Sequence, residues 1–294
     1  MKSTRLTVAL AAIVIALSAS PASAATLANA FISGKGVDAA DCGPVAKPCR
    51  TLQYVHDTIV SAGGVVSVLD GAEYGPVVIR KAIGIINDGA GVAYVSGGSS
   101  ANAVSIFAGA SDSVLLRGLT IEGPGTASYG VALYTGGALT IEKSSIRHFN
   151  TGVYLAPNGA TRLVVTDTVL SDNVGGLTVA GNQPGTAQGV IARVTAVNNS
   201  FAGVYIASVG SAAGSAVASN FTVVDSVFEG NDSGVVIRDP GTVTTLGRNV
   251  IDGNRQGVNI LFGGIAYSYG DNKINANAGG DIAGGGALLA LSAR

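Results

Sequence analysis

Six charged side chains recur at one place in a repeating pattern of this 294-residue sequence: Lys143, Asp167, Arg193, Asp225, Arg248 and Asp271. Their signs alternate. Two acids flanking a base, Asp167 and Asp225 around Arg193, form a set able to hold a carboxylate-bearing sugar and move its proton. The same alternation also suits pairing between successive layers, which contributes little at a surface and leaves no group free for a substrate. A calcium site needs several converging carboxylates, and alternation works against one. Lys143 falls in this column when the copies are aligned on a glycine, and Arg193 when they are aligned on an asparagine.

The other chemistry-bearing residues are few. His148 follows Arg147 just before a corner of the repeat; it faces either a ligand or open solvent. His56 lies beside the apolar side of a predicted helix, with no serine or cysteine nucleophile motif near it, and reads as a packing residue. Tyr154 and Tyr205 occupy one repeat position, two residues after a recurring glycine, with Tyr129, Tyr134 and Tyr267 close to equivalent strands. Turned outward they would stack on sugar rings or simply form strand surface. Cys42 and Cys49 bracket a Gly- and Pro-containing loop, which reads as a disulfide in an exported chain. No metal site is expected, since the chain has only these two cysteines and two histidines.

A recurring element must place these side chains. Leu139-Thr-Ile-Glu-Lys-Ser-Ser-Ile-Arg-His-Phe-Asn150-Thr-Gly152-Val-Tyr-Leu is followed by related copies. These carry Asn173 and Gly176, Asn199 and Gly203, Asn231 and Gly234, Asn254 and Gly257, and Asn277 and Gly280. With Gly130 as the first anchor, the glycine spacings are 22, 24, 27, 31, 23 and 23 residues. Such a period fits one turn of a parallel β-helix, three short strands and three corners. The apolar residues alternate, as in Leu139 and Ile141 or Val153 and Leu155, so the segments are strands rather than helices. The column Asn150, Asn173, Asn199, Asn231, Asn254 and Asn277 is expected at a sharp corner. There asparagine tolerates left-handed backbone and its amide bonds to the next turn. The residues that lengthen one turn to 31 fall at Ala207–Ala218, and insertions of this kind often form the binding side of a solenoid.

The repeat, apolar-x-apolar-x-x-x-x-apolar-x-x-Asn-x-x-Gly-Val-x-Val, resembles the right-handed β-helix proteins of the pectin-lyase-like superfamily, over roughly residues 60–285. The resemblance implies an all-β, right-handed parallel β-helix. Lyases of that superfamily hold calcium on clustered carboxylates beside an Arg or Lys base. Its hydrolases use paired Asp residues with Gly-His-Gly and Arg-x-Lys. The chain contains no Asp-Asp, no Gly-His-Gly and no Arg-x-Lys, so the resemblance carries a fold and no hydrolase chemistry.

Composition bounds the rest. Residues 1–24 read as a secretory signal: Lys2 and Arg5, an apolar run from Leu6 to Leu17, Pro21, then Ala22-Ser23-Ala24 before Ala25. Secretion or a periplasmic location follows from it. Only 12% of residues are charged and the net charge is −1, which gives nucleic acid nothing to bind. No later stretch is long and apolar enough to span a bilayer. Residues 25–64 are expected to cap the solenoid with the cysteine loop and a helix over Arg50–Ala62, ended by Gly63-Gly64, with the first strand at Val65–Leu69. Residues 65–285 form the β-helix, and 286–294 a tail or second cap. The leading expectation is an exported protein that contacts polysaccharide or a cell-surface glycan without a clear catalytic site or cofactor. Two alternatives stay open: a polysaccharide lyase-like or epimerase-like enzyme on uronate glycans, which would need calcium, and a structural or adhesive surface protein.

Overall fold

The computed structural model describes residues 26–98, 101–181, 185–209 and 218–291, apart from the side chains of residues 126, 127 and 209. The expected leader and residues 210–217 of the expected loop lie outside the described residues. The chain winds into a parallel β-solenoid with three faces. The first face is an 11-stranded sheet that runs from Leu27–Ile32 to Leu288–Ala290. The second and third faces form a 16-stranded sheet bent around a corner. Strand Ser145–Leu155 runs through both, pairing with Val169–Ser171 on one and Gly175–Gly181 on the other.

Alternation in the sequence builds the core. On the first face Leu139, Leu163 and then Ile141, Val165, Ile191, Val223 and Leu246 point inward and are fully buried. Ile146, Leu170, Ala196, Phe228 and Ile251 form the second interior column. Val153, Leu177, Val204, Val235 and Val258 form the third. Each turn lies ~4.8 Å above the last, so equivalent side chains touch along the axis and every strand-centre amide bonds to the next turn.

The corners obey a rule the repeat pattern only half reveals. Between the second and third faces, the residue before the ladder position, Phe149 in one turn and an asparagine in the others, takes the left-handed conformation: His148, Asp172, Asn198 and Ala276 have φ of 62°, 56°, 55° and 55°, and Gly230 and Gly253 hold the equivalent place. The asparagines themselves turn inward. Asn199 Nδ2 donates to Leu170 O at 3.0 Å and to Asn231 Oδ1 at 2.9 Å, and its N–H donates to the same Oδ1 at 3.0 Å. Asn173, Asn231, Asn254 and Asn277 repeat the arrangement, all buried. Asp281 closes the ladder by accepting from Asn277 Nδ2 at 2.8 Å. The expected left-handed asparagines are therefore corrected: a buried amide must aim at backbone, and the turn is made one residue earlier.

Asn150 is corrected as well. Thr151 aligns with Gly175, which puts Phe149 opposite Asn173 and leaves Asn150 exposed outside the ladder. Phe149 fills the interior position with an apolar ring, and its N–H donates to Asn173 Oδ1 at 3.0 Å. At the far end Val258 pairs with Ile282, so Asp281, not Gly280, matches Gly257.

The front cap is partly as expected. Cys42 and Cys49 form a disulfide and both are buried. Leu52, Val55 and Ile59 share the buried side of a short helix, α over Leu52–Tyr54 and π over Val55–Ile59. The helix stops at Ile59 rather than Ala62, and Val60–Val68 is already a strand. Val60 pairs with Leu27, and the Lys81 ammonium satisfies the carbonyls of His56 and Val60 that a longer helix would have used. The parallel sheet also extends past 65–285 at both ends, through Leu27–Ile32 and through Leu288–Ala290 against Ile265–Ser268. No helix among the described residues is long and apolar enough to cross a membrane.

Candidate functional site

The charged column lies at the corner that follows the first face. Glu142, Thr166, Ala192, Val224 and Gly247 are in register at the strand ends, so Lys143, Asp167, Arg193, Asp225 and Arg248 all occupy one position. Each is left-handed, with φ between 50° and 53°. That backbone throws the side chain outward, while the N–H of Asp167, Arg193 and Asp225 bonds to the strand-end carbonyl of the next turn at 3.1–3.2 Å. The charges join in two bidentate pairs. Arg193 donates to both Asp167 oxygens at 2.7 and 2.8 Å, and Arg248 to both Asp225 oxygens at 2.6 and 2.8 Å. Arg193 and Asp225, although adjacent in the column, form no ion pair. Asp271 sits one step aside and accepts from the Arg248 backbone N–H at 2.9 Å.

Pairing fixes the protonation of this column. The Arg193 and Arg248 guanidiniums hold Asp167 and Asp225 below the usual carboxylate range, and the carboxylates raise both arginines. A proton-abstracting base needs the opposite tuning. A concavity of about 520 Å³ lies beside Arg248, lined with Thr222, Tyr269, Asp271 and Leu291 among others. The Arg248 side chain there is already bound to Asp225 through Nε and Nη2.

One residue further on, the same corner hides a second polar ladder that the repeat pattern did not expose. Leu119 N–H donates to Ser144 Oγ at 3.2 Å, Ser144 N–H to Thr168 Oγ1 at 3.4 Å and Val194 N–H to Ser226 Oγ at 3.1 Å. Ser226 N–H then donates to Asn249 Oδ1 and Asn249 N–H to Asn272 Oδ1, at 3.1 and 3.0 Å. Its residue type changes from turn to turn, so only the left-handed residue before it, charged in most turns, signals its place.

The two histidines separate cleanly. His56 is buried in the cap; its Nε2 accepts the Arg80 backbone N–H at 3.1 Å, and Nδ1 meets Asp57 Oδ1 at 2.7 Å. An N–H can only donate, so Nε2 is bare and the proton sits on Nδ1. Burial pushes the His56 pKa down. His148 is an outward corner residue whose Nδ1 lies 3.2 Å from Glu122 Oε1, with Arg147 Nη2 on the other Glu122 oxygen at 2.9 Å. No group of three or more His, Cys, Asp or Glu side chains placed to hold a metal ion occurs among the described residues.

The tyrosines converge on the outer side of the third face. Tyr154 and Tyr205 share one column, with Thr178 in the turn between them. Tyr129 stacks on Tyr154 with ring centroids 4.3 Å apart and planes 11° from parallel. Tyr134 stacks on Phe107 at 4.8 Å, and Arg80 lies 5.5 Å over the Phe107 ring. Phe201 leans on Tyr205 at 5.5 Å, and the Tyr205 hydroxyl accepts from Arg238 Nη1 at 3.0 Å. Burial raises the pKa of Tyr129 and Tyr154, so their hydroxyls stay protonated donors. Phe107, Val174 and Phe201 stand 42%, 44% and 45% exposed along this face. Phe107, Val174 and Phe201 were missed at the sequence level; their cue was a large apolar residue at an outward or corner position. Tyr267 lies elsewhere, on the first face.

Three faces of parallel strands closed by left-handed corners and inward asparagines define a parallel β-solenoid with an aromatic outer stripe. Residues 102–279 match the family model described as right handed beta helix region, and the chain belongs to that family. A search of curated proteins and a search of solved structures each return no match.

Proposed function

We propose that this protein is an exported β-helix that binds polysaccharide through the outer side of its third face. One observation carries the reading: aromatic rings cluster along the outer side of this one face, from Phe107 and Tyr134 through Tyr129 and Tyr154 to Phe201 and Tyr205, with only the Thr178 turn among them lacking one. Aromatic rings offer apolar surface to the C–H faces of sugars and, as tyrosines, hydroxyls at the rim. The buried Cys42–Cys49 disulfide suits an oxidising compartment, in keeping with the leader expected at residues 1–24. Asp167, Arg193, Asp225 and His148 serve in this reading as structural surface groups, so neither calcium nor another cofactor is required. A glycan array with the intact protein tests the proposal. Wild type is expected to bind at least one polysaccharide class, and Tyr154→Ala/Tyr205→Ala, checked for an unchanged fold by circular dichroism, to bind at least tenfold more weakly. Equal binding by both proteins would move the site elsewhere, and a blank array would favour the structural or adhesive alternative.

A further inference from the structure

The aromatic stripe has a charge boundary. Around Tyr154, Thr178 and Tyr205 the outward side chains among the described residues are aromatic, aliphatic or hydroxyl-bearing. Charged groups begin at the borders: Arg80 lies exposed, and in no ion pair among the described residues, over Phe107 at the far end of the stripe, and the arginines nearer to Tyr154 and Tyr205 are already bound. Arg147 is on Glu122 at 2.9 Å, Arg255 on Asp232 at 2.5 and 2.9 Å, and Arg238 on Asp239 at 3.2 Å as well as on the Tyr205 hydroxyl. The border charge beside Val174 is Asp172, exposed and in no ion pair among the described residues. A carboxylate or sulfate on a ligand seated between Tyr154 and Tyr205 would meet that acid and find no free guanidinium there. Burying such a charge without a partner is costly.

The stripe also has a gap of definite size. Tyr154 and Tyr205 are two turns apart, ~9.6 Å at the spacing of stacked strands. Tyr154 has one ring face on Tyr129, and Tyr205 leans toward Phe201 and Arg238. Between them the half-buried Thr178 forms a low floor, with the buried Gly175 and Ala202 beneath its edge and the exposed Val174 and Phe201 at its border. Flat aromatic walls, a hydroxyl on the floor and an absence of free charge match a ring that is apolar on its faces and uncharged at its rim.

We infer that the Tyr154–Thr178–Tyr205 gap is the sugar-binding subsite and that its ligand is a neutral polysaccharide, not a uronate or sulfated one. This rests on the glycan-binding reading above and narrows it to a chemical class. Affinity electrophoresis of the intact protein through gels containing a neutral β-glucan, a galactomannan or polygalacturonate tests it. Retardation by a neutral polymer, unchanged between low and moderate salt, is expected, with none by polygalacturonate. Thr178→Glu, an outward substitution that fills the floor with charge, is expected to reduce that retardation at least tenfold while leaving the thermal midpoint unchanged. Retardation by polygalacturonate that fades as salt rises would overturn the neutral class and leave the glycan-binding reading standing. Neutral-polymer binding untouched by Thr178→Glu would overturn the assignment of the gap. Retardation by none of the polymers, with a protein ligand captured instead, would overturn the glycan reading itself.

Discussion

Two columns climb this solenoid one residue per turn, and they use polarity in opposite ways. The inner one, Asn173 to Asn277, is buried; each amide serves backbone groups of the preceding turn, and from Asn173 to Asn254 its Nδ2 also bonds to the next asparagine's oxygen. The outer one, Lys143 to Arg248, is solvated; Arg193 and Asp167 side chains are 56% and 39% exposed, and the charges join only in separate pairs. Position in the fold, not residue polarity, sets what each column is worth. Inside, a missing partner leaves a backbone N–H without water; outside, water takes the partner's place. The inner column and the four paired charges of the outer one complete their bonding within the chain, and Lys143 at the end of the outer column is left to solvent. The aromatic stripe of the third face is the periodic feature that leaves ring surface open.

The inner column should break first. Asn199→Ala strips the partner from the Asn173 N–H and Nδ2 and leaves the Leu170 carbonyl without its amide donor, at a cost of about 3 kcal/mol. Urea denaturation should show that loss, whereas Asn150→Ala should leave the midpoint unmoved because Asn150 is exposed and outside the ladder. Equal losses would restore Asn150 to the column and contradict the register at Phe149.

Much of this architecture was legible beforehand, and its gaps have physical causes. Six copies anchored on an Asn and a following Gly gave the fold because a solenoid repeats its corners in sequence. The count of residues between Asn150 and Gly152 is one short of that between Asn173 and Gly176, which is why Asn150 slipped out of a ladder that spacing alone assigned it to. The second ladder was invisible because Ser, Thr and Asn can all present an oxygen to the same N–H. Among the site residues, the alternating charges were conspicuous and Arg193 with Asp167 did pair. The aromatic stripe was half seen, since Phe107 and Phe201 do not stand two residues after a glycine anchor, as Tyr154 and Tyr205 do, and acquire their neighbours only through the winding.

A smaller effect separates the cap from the stack. Neutral His56 accepts the Arg80 N–H, and protonating Nε2 would set two donors against each other. Asp57 faces the ring, with Lys81 and Arg80 adding positive charge nearby. Since burial lowers the folded-state pKa below its ordinary value of about 6.5, the unfolded chain takes up the proton first. Stability is therefore full above that value and declines as pH falls below it toward the folded pKa. Carboxylates held low, such as Asp70 and Asp167, add their own loss only at more acid pH. Thermal melts between pH 7 and 5 should show a decline for wild type that is flatter in His56→Gln; identical slopes would remove His56 from the account.

The smallest change is expected from the outer column, and it bears most directly on where function lies. Arg193→Ala/Arg248→Ala should shift the thermal midpoint little, because both pairs are exposed and screened. The decisive comparison is polysaccharide retardation of this variant beside that of Tyr154→Ala/Tyr205→Ala, on one gel and against one polymer. Full retardation of the arginine variant with loss in the tyrosine variant is the predicted result. Loss in the arginine variant with full retardation of the tyrosine variant would place the site on the charged column and contradict the account.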